Sequence, residues 1–242
     1  MKRLILILLS LVMLVTAVGC GASGSNTIVL SAQEEALHQE SLTKFAQPTR
    51  WATTINAFKT SDTYNPPPQN AVLFVGSSSI VYWNTKKWFP DITTINRGFG
   101  GSEINDSLYY ADAIIIPYHP KTVVFYAGDN DIASGKTPAM IFADFKALAK
   151  KLRDNLPETK IIVVSIKPSI ARWTLWSAMQ EANGLISKFC TTQTNFYFAD
   201  VTKVMLDASG QPRNDIFVSD GLHMNDNGYE LWTSVVRPII DK

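Results

Sequence analysis

The chain alternates short β-branched or aromatic runs with longer segments whose apolar residues recur at helical spacing. This alternation constrains the fold more than any other feature, because strands that alternate with helices form a parallel sheet covered by helices on both faces. Five runs have the length and composition of strands: residues 71–75, 93–96, 122–126, 160–166 and 195–200. The sequence therefore predicts an α/β fold with five parallel strands.

Helical segments are predicted between the later strands and before the first one. Thr137 followed by Pro138 has the pattern of an N-cap with proline at the first helical position, and the helix is predicted to run to Leu156. Its apolar residues Ile141, Phe145, Leu148 and Leu152 follow the helical period. Further helices are predicted over residues 175–190, 227–240 and 43–58, the last one followed by prolines at 66–68.

The first residues have the pattern of an export signal. Lys2 and Arg3 precede an apolar stretch over residues 4–15, and small residues at 17–19 precede Cys20. Residues 17–20 resemble a bacterial lipobox, in which the cysteine becomes the lipidated first residue of the mature protein. We therefore predict a signal peptide over 1–19, a lipidated tether over 20–40 and a single folded domain over 41–242.

These N-terminal features predict an exported bacterial cell-envelope lipoprotein, facing the periplasm or held at the outer membrane through its lipid anchor. The alternative is plain secretion, in which Cys20 has no special role. With Cys20 lipidated, Cys190 has no intramolecular disulfide partner, and its apolar helical context favours a buried structural thiol over a nucleophile.

Composition excludes some classes of partner. The chain has 22 Lys and Arg against 21 Asp and Glu, with no clustered basic segment, so no nucleic-acid partner is expected. There is no CxxC motif, no clustered His and Cys, and no EF-hand spacing, so the sequence predicts neither a metal nor a cofactor.

The polar segments of interest all follow predicted strands. They are Ser78 with its neighbours, then residues 96–102, 128–131, 167–173 and 220–223. Because ligands bind at the carboxyl ends of parallel strands, these segments are expected to share one rim of the sheet. His119 precedes a strand and is expected at the opposite edge, and His38 lies in the N-terminal segment, which leaves His223 as the histidine placed for catalysis.

Two of these segments have the composition of a nucleophilic centre. Asp220 and His223 are three residues apart, and a serine-rich turn over residues 76–79 follows the first strand. Taken alone, that turn is compatible with a serine-rich helix cap, and Ile80 excludes the G-x-S-x-G pattern of the α/β-hydrolase elbow. The glycines at 98, 100 and 101 favour a loop of backbone N–H donors over a phosphate-binding loop, and Asn130 is either a turn residue or an amide donor to an oxyanion.

Taken together, these segments resemble the SGNH group of the GDSL esterases and lipases. The resemblance covers residues 74–232 and rests on Val-Gly-Ser-Ser-Ser-Ile, Asn-Arg-Gly-Phe-Gly-Gly-Ser, Ala-Gly-Asp-Asn-Asp-Ile and Asp-Gly-Leu-His. It implies the three-layer α/β/α, flavodoxin-like fold of the SGNH hydrolases. Ser77 and Ser79 stand where the family name has Asp and Leu. The site residues that the resemblance implies are the nucleophile Ser78, the acid–base pair Asp220 and His223, and the oxyanion donors Ser78, Gly101 and Asn130.

The implied activity is serine hydrolysis of carboxylic esters through an acyl-enzyme on Ser78. The short connections favour short-chain or acetyl esters of a small molecule, a glycan or a lipid, with Arg172 and Trp173 expected near the rim. The alternatives are a lysophospholipase or lipase, an O-acyltransferase on the same scaffold, or a catalytically silent lipoprotein that binds an envelope component.

Overall fold

The computed structural model describes residues 27–47 and 49–242 of the chain. Its central sheet has five parallel strands in the order β2-β1-β3-β4-β5. The strands are β1 Val72–Gly76, β2 Thr94–Gly98, β3 Thr122–Tyr126, β4 Lys160–Val164 and β5 Phe196–Ala199. The predicted α/β fold is confirmed, and every strand end lies within two residues of its predicted position.

Eleven α-helices and three short 3₁₀ turns connect the strands within the described residues. The helices are α1 Ala32–Phe45, α2 Ala52–Tyr64, α3 Ser78–Val81, α4 Thr85–Trp88, α5 Ile104–Tyr109, α6 Ala111–Ile114, α7 Asp129–Ala133, α8 Pro138–Asn155, α9 Trp176–Thr191, α10 Thr202–Met205 and α11 Asp226–Ile240. The 3₁₀ turns are Ile116–Tyr118, Trp173–Leu175 and Asn214–Ile216.

Two apolar layers enclose the sheet. Alternate residues of β1 point to opposite faces, so that Leu73 and Val75 join one core while Val72 and Phe74 join the other. The first core is covered mainly by helices α2, α5, α6, α8 and α9, and the second mainly by α3, α10 and α11. Because the five strands are parallel, their carboxyl ends meet at one edge of the covered sheet.

Helix α8 forms as its sequence predicts. The side chain of Thr137 accepts a hydrogen bond from the Met140 N–H, and Pro138 occupies the first turn. Ile141, Phe145 and the other predicted apolar positions are buried. Helices α9 and α11 begin within one residue of their predicted starts.

The N-terminal region differs from its prediction. A single helix over 43–58 is wrong, because α1 ends at Phe45, Ala46 is extended, and α2 begins only at Ala52. Pro48 in the sequence disfavours helical backbone at the residue before it, which accounts for the interruption.

Helix α1 also extends the packed part of the chain into the predicted tether. It begins at Ala32 with a capping box between Ser31 and Glu34, and it packs against α8 with His38 and Ser41 buried. The packed structure therefore begins before residue 41. The predicted signal peptide and Cys20 lie outside the described residues, and among the described helices none is long and apolar enough to cross a membrane.

Candidate active site

A strained turn at the end of β1 presents Ser78. Gly76 has a φ of 135°, and a Cβ atom there would lie 1.9 Å from the carbonyl oxygen of Tyr126, so only glycine fits. The Ser77 N–H donates to that same carbonyl at 3.0 Å, and α3 then begins at Ser78. Ser77 and Ser79 are buried, whereas Ser78 is half-buried. Of the three serines, Ser78 is thus the one open to a substrate.

The loop before α11 brings an acid and an imidazole to that serine. The Nε2 atom of His223 lies 3.0 Å from Ser78 Oγ, and its Nδ1 atom lies 2.6 Å from Asp220 Oδ2. Asp220 Oδ1 accepts the backbone N–H groups of Leu222 at 2.8 Å and His223 at 2.9 Å. The hydrogen bonds from the His223 side chain and from these two N–H groups lower the pKa of Asp220 to about 2. The carboxylate is therefore ionised wherever the imidazole can act as a base.

Neighbouring groups define the surroundings of the imidazole. The ring of Tyr82 meets the His223 ring edge-on, with centroids 5.1 Å apart. A cavity of about 370 Å³ opens beside them, lined by Asp220 and His223 together with Tyr82, Val218, Met224 and Tyr229 among others. The N-cap of α11 is Asn225, whose side chain accepts the Gly228 N–H. Asp220 therefore does not cap this helix, and its Oδ2 atom contacts His223.

The glycine-rich loop after β2 passes directly beside Ser78. Phe99 N–H donates to the Gly76 carbonyl at 2.9 Å, and a Cβ atom on Gly100 would lie 3.9 Å from Ser78 Cβ. The Nε1 atom of Trp51, from the segment before α2, donates to the Gly100 carbonyl at 2.9 Å. Gly101 follows with a φ of 75°. The predicted donor loop thus lies beside Ser78 rather than at a separate site.

Asn130, in the first turn of α7, links the other two loops of the rim. Its Nδ2 atom donates to the carbonyl of Ser102 at 3.0 Å, and its Oδ1 atom accepts from Arg172 Nη2 at 3.0 Å. One N–H of the amide is therefore committed to the glycine loop.

Two cations lie behind Asn130, one of them buried and the other partly exposed. Lys167 is buried on the loop after β4, and its Nζ lies 3.1 Å from Asp129 Oδ2. Arg172 Nη1 lies 2.9 Å from the same oxygen. Burial alone would raise the pKa of Asp129, but the charges of Lys167 and Arg172 outweigh it and hold the pKa below its usual range. The sequence placed Lys167 and Arg172 on the loop after a strand, but it did not predict that both would form ion pairs with Asp129. Trp173 packs against the core and stacks on Trp176.

A second buried ionic cluster joins the start of α5, helix α7 and helix α8. Lys136 Nζ lies within 3.0 Å of carboxylate oxygens of Glu103, Asp131 and Asp144. Asp131 in turn accepts the Ile104 N–H. His38 Nδ1 of α1 lies 2.8 Å from Asp144, which ties the N-terminal helix to this cluster. Burial, with the nearby carboxylates, raises the pKa of Asp131 to about 7 against the opposing charge of Lys136.

The remaining candidates lie away from the rim. His119 lies at the opposite edge of the sheet with Asn70 and Glu158. Cys190 is a free, buried thiol in α9, and burial raises its pKa to about 12, which disfavours a thiolate. Within residues 27–47 and 49–242, no group of three or more His, Cys, Asp or Glu side chains is placed to hold a metal ion.

Comparison with known proteins identifies relatives of this chain. Residues 83–231 match the family model described as the GDSL-like lipase/acylhydrolase family. That range contains Gly101, Asn130, Asp220 and His223, and Ser78 lies just before it.

A curated relative, an N-acylneuraminate cytidylyltransferase of Escherichia coli, is 26% identical over 179 residues. The match takes in 70% of this chain but only 40% of that relative, so the chain spans less than half of its length.

Several solved structures share the fold. A Streptococcus pneumonia protein named in relation to platelet activating factor has a TM-score of 0.70 at 20% identity, covering 87% of this chain and all of its own. A GDSL-like lipase from Bacteroides thetaiotaomicron has a TM-score of 0.66 at 21% identity, covering 77% and 97%. A carbohydrate esterase family 3 protein from Talaromyces cellulolyticus has a TM-score of 0.55 at 19% identity, covering 70% and 95%.

Proposed function

Since the chain belongs to the GDSL-like lipase/acylhydrolase family and is thereby an ester hydrolase, we propose that it works through an acyl-enzyme on Ser78. The observation that carries the proposal is the continuous series of contacts from Ser78 Oγ through His223 to Asp220. Such a series supplies a nucleophile, the base that takes its proton, and the acid that orients the base.

The proposed reaction has two halves. His223 Nε2 takes the hydroxyl proton as Ser78 Oγ attacks the ester carbonyl, and the imidazolium then protonates the departing alcohol. Water attacks the acyl-enzyme in the second half, with His223 again as the base. Asp220 holds the proton on Nδ1, so that Nε2 is the free acceptor in both halves.

The negative charge that develops on the carbonyl oxygen needs donors that are already in place. We propose the backbone N–H groups of Ser78 and Gly101 and the uncommitted N–H of Asn130. The Gly100 backbone lies beside the Ser78 side chain, and Asn130 is bonded to the carbonyl of Ser102 in the same loop. Donors held in this way need no reorganisation when the charge appears.

For the acyl part of the substrate we propose a short chain, acetyl above all, on a carbohydrate alcohol. The family resemblance alone allows longer chains. The described residues, however, contribute no long apolar insert that would enclose an acyl tail. The carbohydrate esterase among the fold neighbours indicates that this scaffold accommodates such chemistry, although the likeness to it is one of fold.

An exposed arginine favours an acidic group elsewhere in the substrate. The Nη2 atom of Arg50 lies 3.4 Å from the position of a Cβ on Gly101, and its guanidinium lies over the Trp51 ring at 4.6 Å. No carboxylate within the described residues forms an ion pair with it. We therefore propose an ester of an acidic sugar, whose negative charge the Arg50 guanidinium would attract. The name of the Escherichia coli relative, which refers to an acidic sugar, supports the same choice. Arg50→Gln is then expected to raise KM for acetylated acidic sugars while leaving KM for neutral acetate esters unchanged.

Hydrolysis of p-nitrophenyl esters, from acetate to dodecanoate, tests the chain-length proposal. The protein without its first 20 residues is expected to be most active on acetate to butyrate, and Ser78→Ala is expected to be inactive on all of them. A maximum at octanoate to dodecanoate supports the lipase or lysophospholipase alternative instead. Transfer of acetyl to an added sugar in preference to water supports an O-acyltransferase, and inactivity on every ester supports the silent binding lipoprotein.

We also propose that the protein is exported and anchored through a lipid on Cys20, as the N-terminal pattern predicts. Growth of the expressing bacterium with an alkyne palmitate analogue tests this. Labelled protein in the membrane fraction is expected for the natural sequence, and both the label and the membrane association are expected to disappear in Cys20→Ala. Unlabelled protein released to the medium contradicts the anchor.

A further inference from the structure

We propose that Arg172 is a positioning residue which fixes the side-chain amide of Asn130 with one N–H aimed at the oxyanion. The inference rests on the proposed role of Asn130 as an oxyanion donor. It adds a residue outside the set Ser78, Gly101, Asn130, Asp220 and His223, and assigns a purpose to the buried charges behind the rim.

The orientation of the Asn130 amide is decided by its two partners. The Arg172 guanidinium can only donate, and the Ser102 carbonyl can only accept, so the amide oxygen must face Arg172 and the amide nitrogen must face Ser102. The opposite orientation would set two donors against each other and two acceptors against each other. Without Arg172, the amide oxygen would lose its donor, and the single hydrogen bond to the Ser102 carbonyl would have to hold the amide alone.

Arg172 is itself held in place from two sides. Its Nη1 atom lies 2.9 Å from Asp129 Oδ2, while Nη2 serves Asn130. Asp129 is buried and ionised, and Lys167 lies on the same carboxylate oxygen. The planar guanidinium can reach both partners at once, which a single lysine ammonium in the same place would do poorly.

The backbone preceding Arg172 also contacts the loop of the acid–base pair. Ala171 N–H donates to the Gly221 carbonyl at 3.0 Å, and a Cβ atom on Gly221 would lie 3.1 Å from Ile170 Cβ. The loop after β4 therefore touches the segment of Asp220 and His223 on one side and Asn130 on the other. Arg172 is the member of that loop whose side chain reaches the oxyanion donor.

Charge adds to this geometric role. Lys167 and Arg172 together carry two positive charges against the single negative charge of Asp129, which leaves an excess positive charge behind the Asn130 amide. Because this group is largely buried, water and salt screen it less than they would a surface pair. The excess polarises the Asn130 amide toward the oxyanion and so acts through that amide, and a preference for the oxyanion over the neutral ester raises kcat rather than lowering KM.

Steady-state kinetics of Arg172→Met, Asn130→Ala and the double variant test the inference on p-nitrophenyl acetate. Arg172→Met is expected to lower kcat roughly ten- to fifty-fold with little change in KM, less than the roughly 10²–10³-fold expected for loss of the donor itself. The double variant is expected to be no slower than Asn130→Ala, because Arg172 acts through Asn130. The inference would be overturned if the fold-losses in kcat of the two single variants multiplied in the double variant, or if Arg172→Met changed only KM.

Arg172→Lys serves as the matched control, because it keeps the charge toward Asp129 without the second N–H arm. Arg172→Lys is expected to unfold at the same temperature as the natural protein and still to have a lower kcat. If Arg172→Met does not fold, Arg172→Lys takes its place in the kinetic test. Normal kcat in a folded Arg172→Lys overturns the geometric role. Full activity of Ser78→Ala would instead overturn the proposed function, so the two failures are distinguishable.

Discussion

The Nε2 atom of His223 lies 3.0 Å from the Oγ atom of Ser78, although 145 positions separate the two residues in the chain. The contact follows from topology. Ser78 begins α3 directly after β1, an interior strand of the sheet, and the loop containing His223 precedes α11, which packs on the same face as α3. Tyr229 of α11 donates its hydroxyl to the Ser79 carbonyl at 3.0 Å, which locks the two segments together.

Asp220→Asn separates the charge of this residue from its structural role. The asparagine oxygen can still accept the Leu222 and His223 N–H groups, but its amide nitrogen would face His223 Nδ1 and favour the wrong tautomer. We expect kcat to fall by as much as roughly 10⁴-fold with KM little changed. Stopped assays with p-nitrophenyl acetate measure this, and a kcat within threefold of the natural enzyme would contradict the role of Asp220.

Asn130→Ala is expected to lower kcat by roughly 10²–10³-fold and to change KM far less, because the donor acts on the oxyanion and not on the bound ester. Asn130→Asp is a useful companion, since it keeps the size but places a negative charge beside the developing oxyanion. It is expected to be at least as slow as the alanine variant. A rise in KM with normal kcat would make Asn130 a substrate-binding residue instead.

The stability of the protein is expected to fall as pH rises from about 4.5 to about 7.5. Burial and the charge of Glu103 raise the pKa of Asp106 to about 7, against an opposing hydrogen bond from the Glu103 N–H. A carboxyl with a raised pKa holds its proton in the folded state after the unfolded chain has released it. Its contribution is therefore most favourable below its unfolded pKa and is lost through the interval up to about 7.

Asp106→Asn isolates this contribution, because asparagine keeps an oxygen for the Glu103 N–H and carries no charge. The fall in the free energy of unfolding between the two pH values is expected to shrink by on the order of 1–3 kcal/mol. The pKa of Asp131 is also raised to about 7, so this residue is expected to keep part of the pH dependence of stability in the variant. Urea unfolding of both proteins at the two pH values measures this difference. If the free energy of unfolding falls equally in Asp106→Asn and in the natural protein, Asp106 does not take up a proton on folding.

The sequence predicted the sheet and the rim because both depend on local patterns. Strand runs, the Thr137–Pro138 cap and the glycine turns are each set by a few consecutive residues, and the rule for parallel strands then brings the loops to one edge. Gly76 illustrates this, since a glycine after a strand indicated a tight turn and the Tyr126 carbonyl indeed leaves no room for a side chain.

The ionic clusters could not be predicted, because they join residues from distant segments. Lys136 looks like an ordinary surface charge in the sequence, and its burial among carboxylates becomes visible only in three dimensions. Arg172 was expected near the rim, but its contact with Asp129 was not. The packing of α1 was not predicted for a related reason. Helix α1 has few apolar residues, so its packing through His38 and Ser41 against Asp144 left no hydrophobic pattern to read.

The central claim is that Ser78 is the attacking serine, and its modification by a fluorophosphonate tests that claim most directly. Peptide mapping of the reacted protein is expected to place one adduct on Ser78, in parallel with loss of esterase activity. Ser77→Ala and Ser79→Ala are expected to react as the natural protein does, and Ser78→Ala not at all. An adduct on Ser77 or Ser79, or a reactive and active Ser78→Ala, would contradict the account.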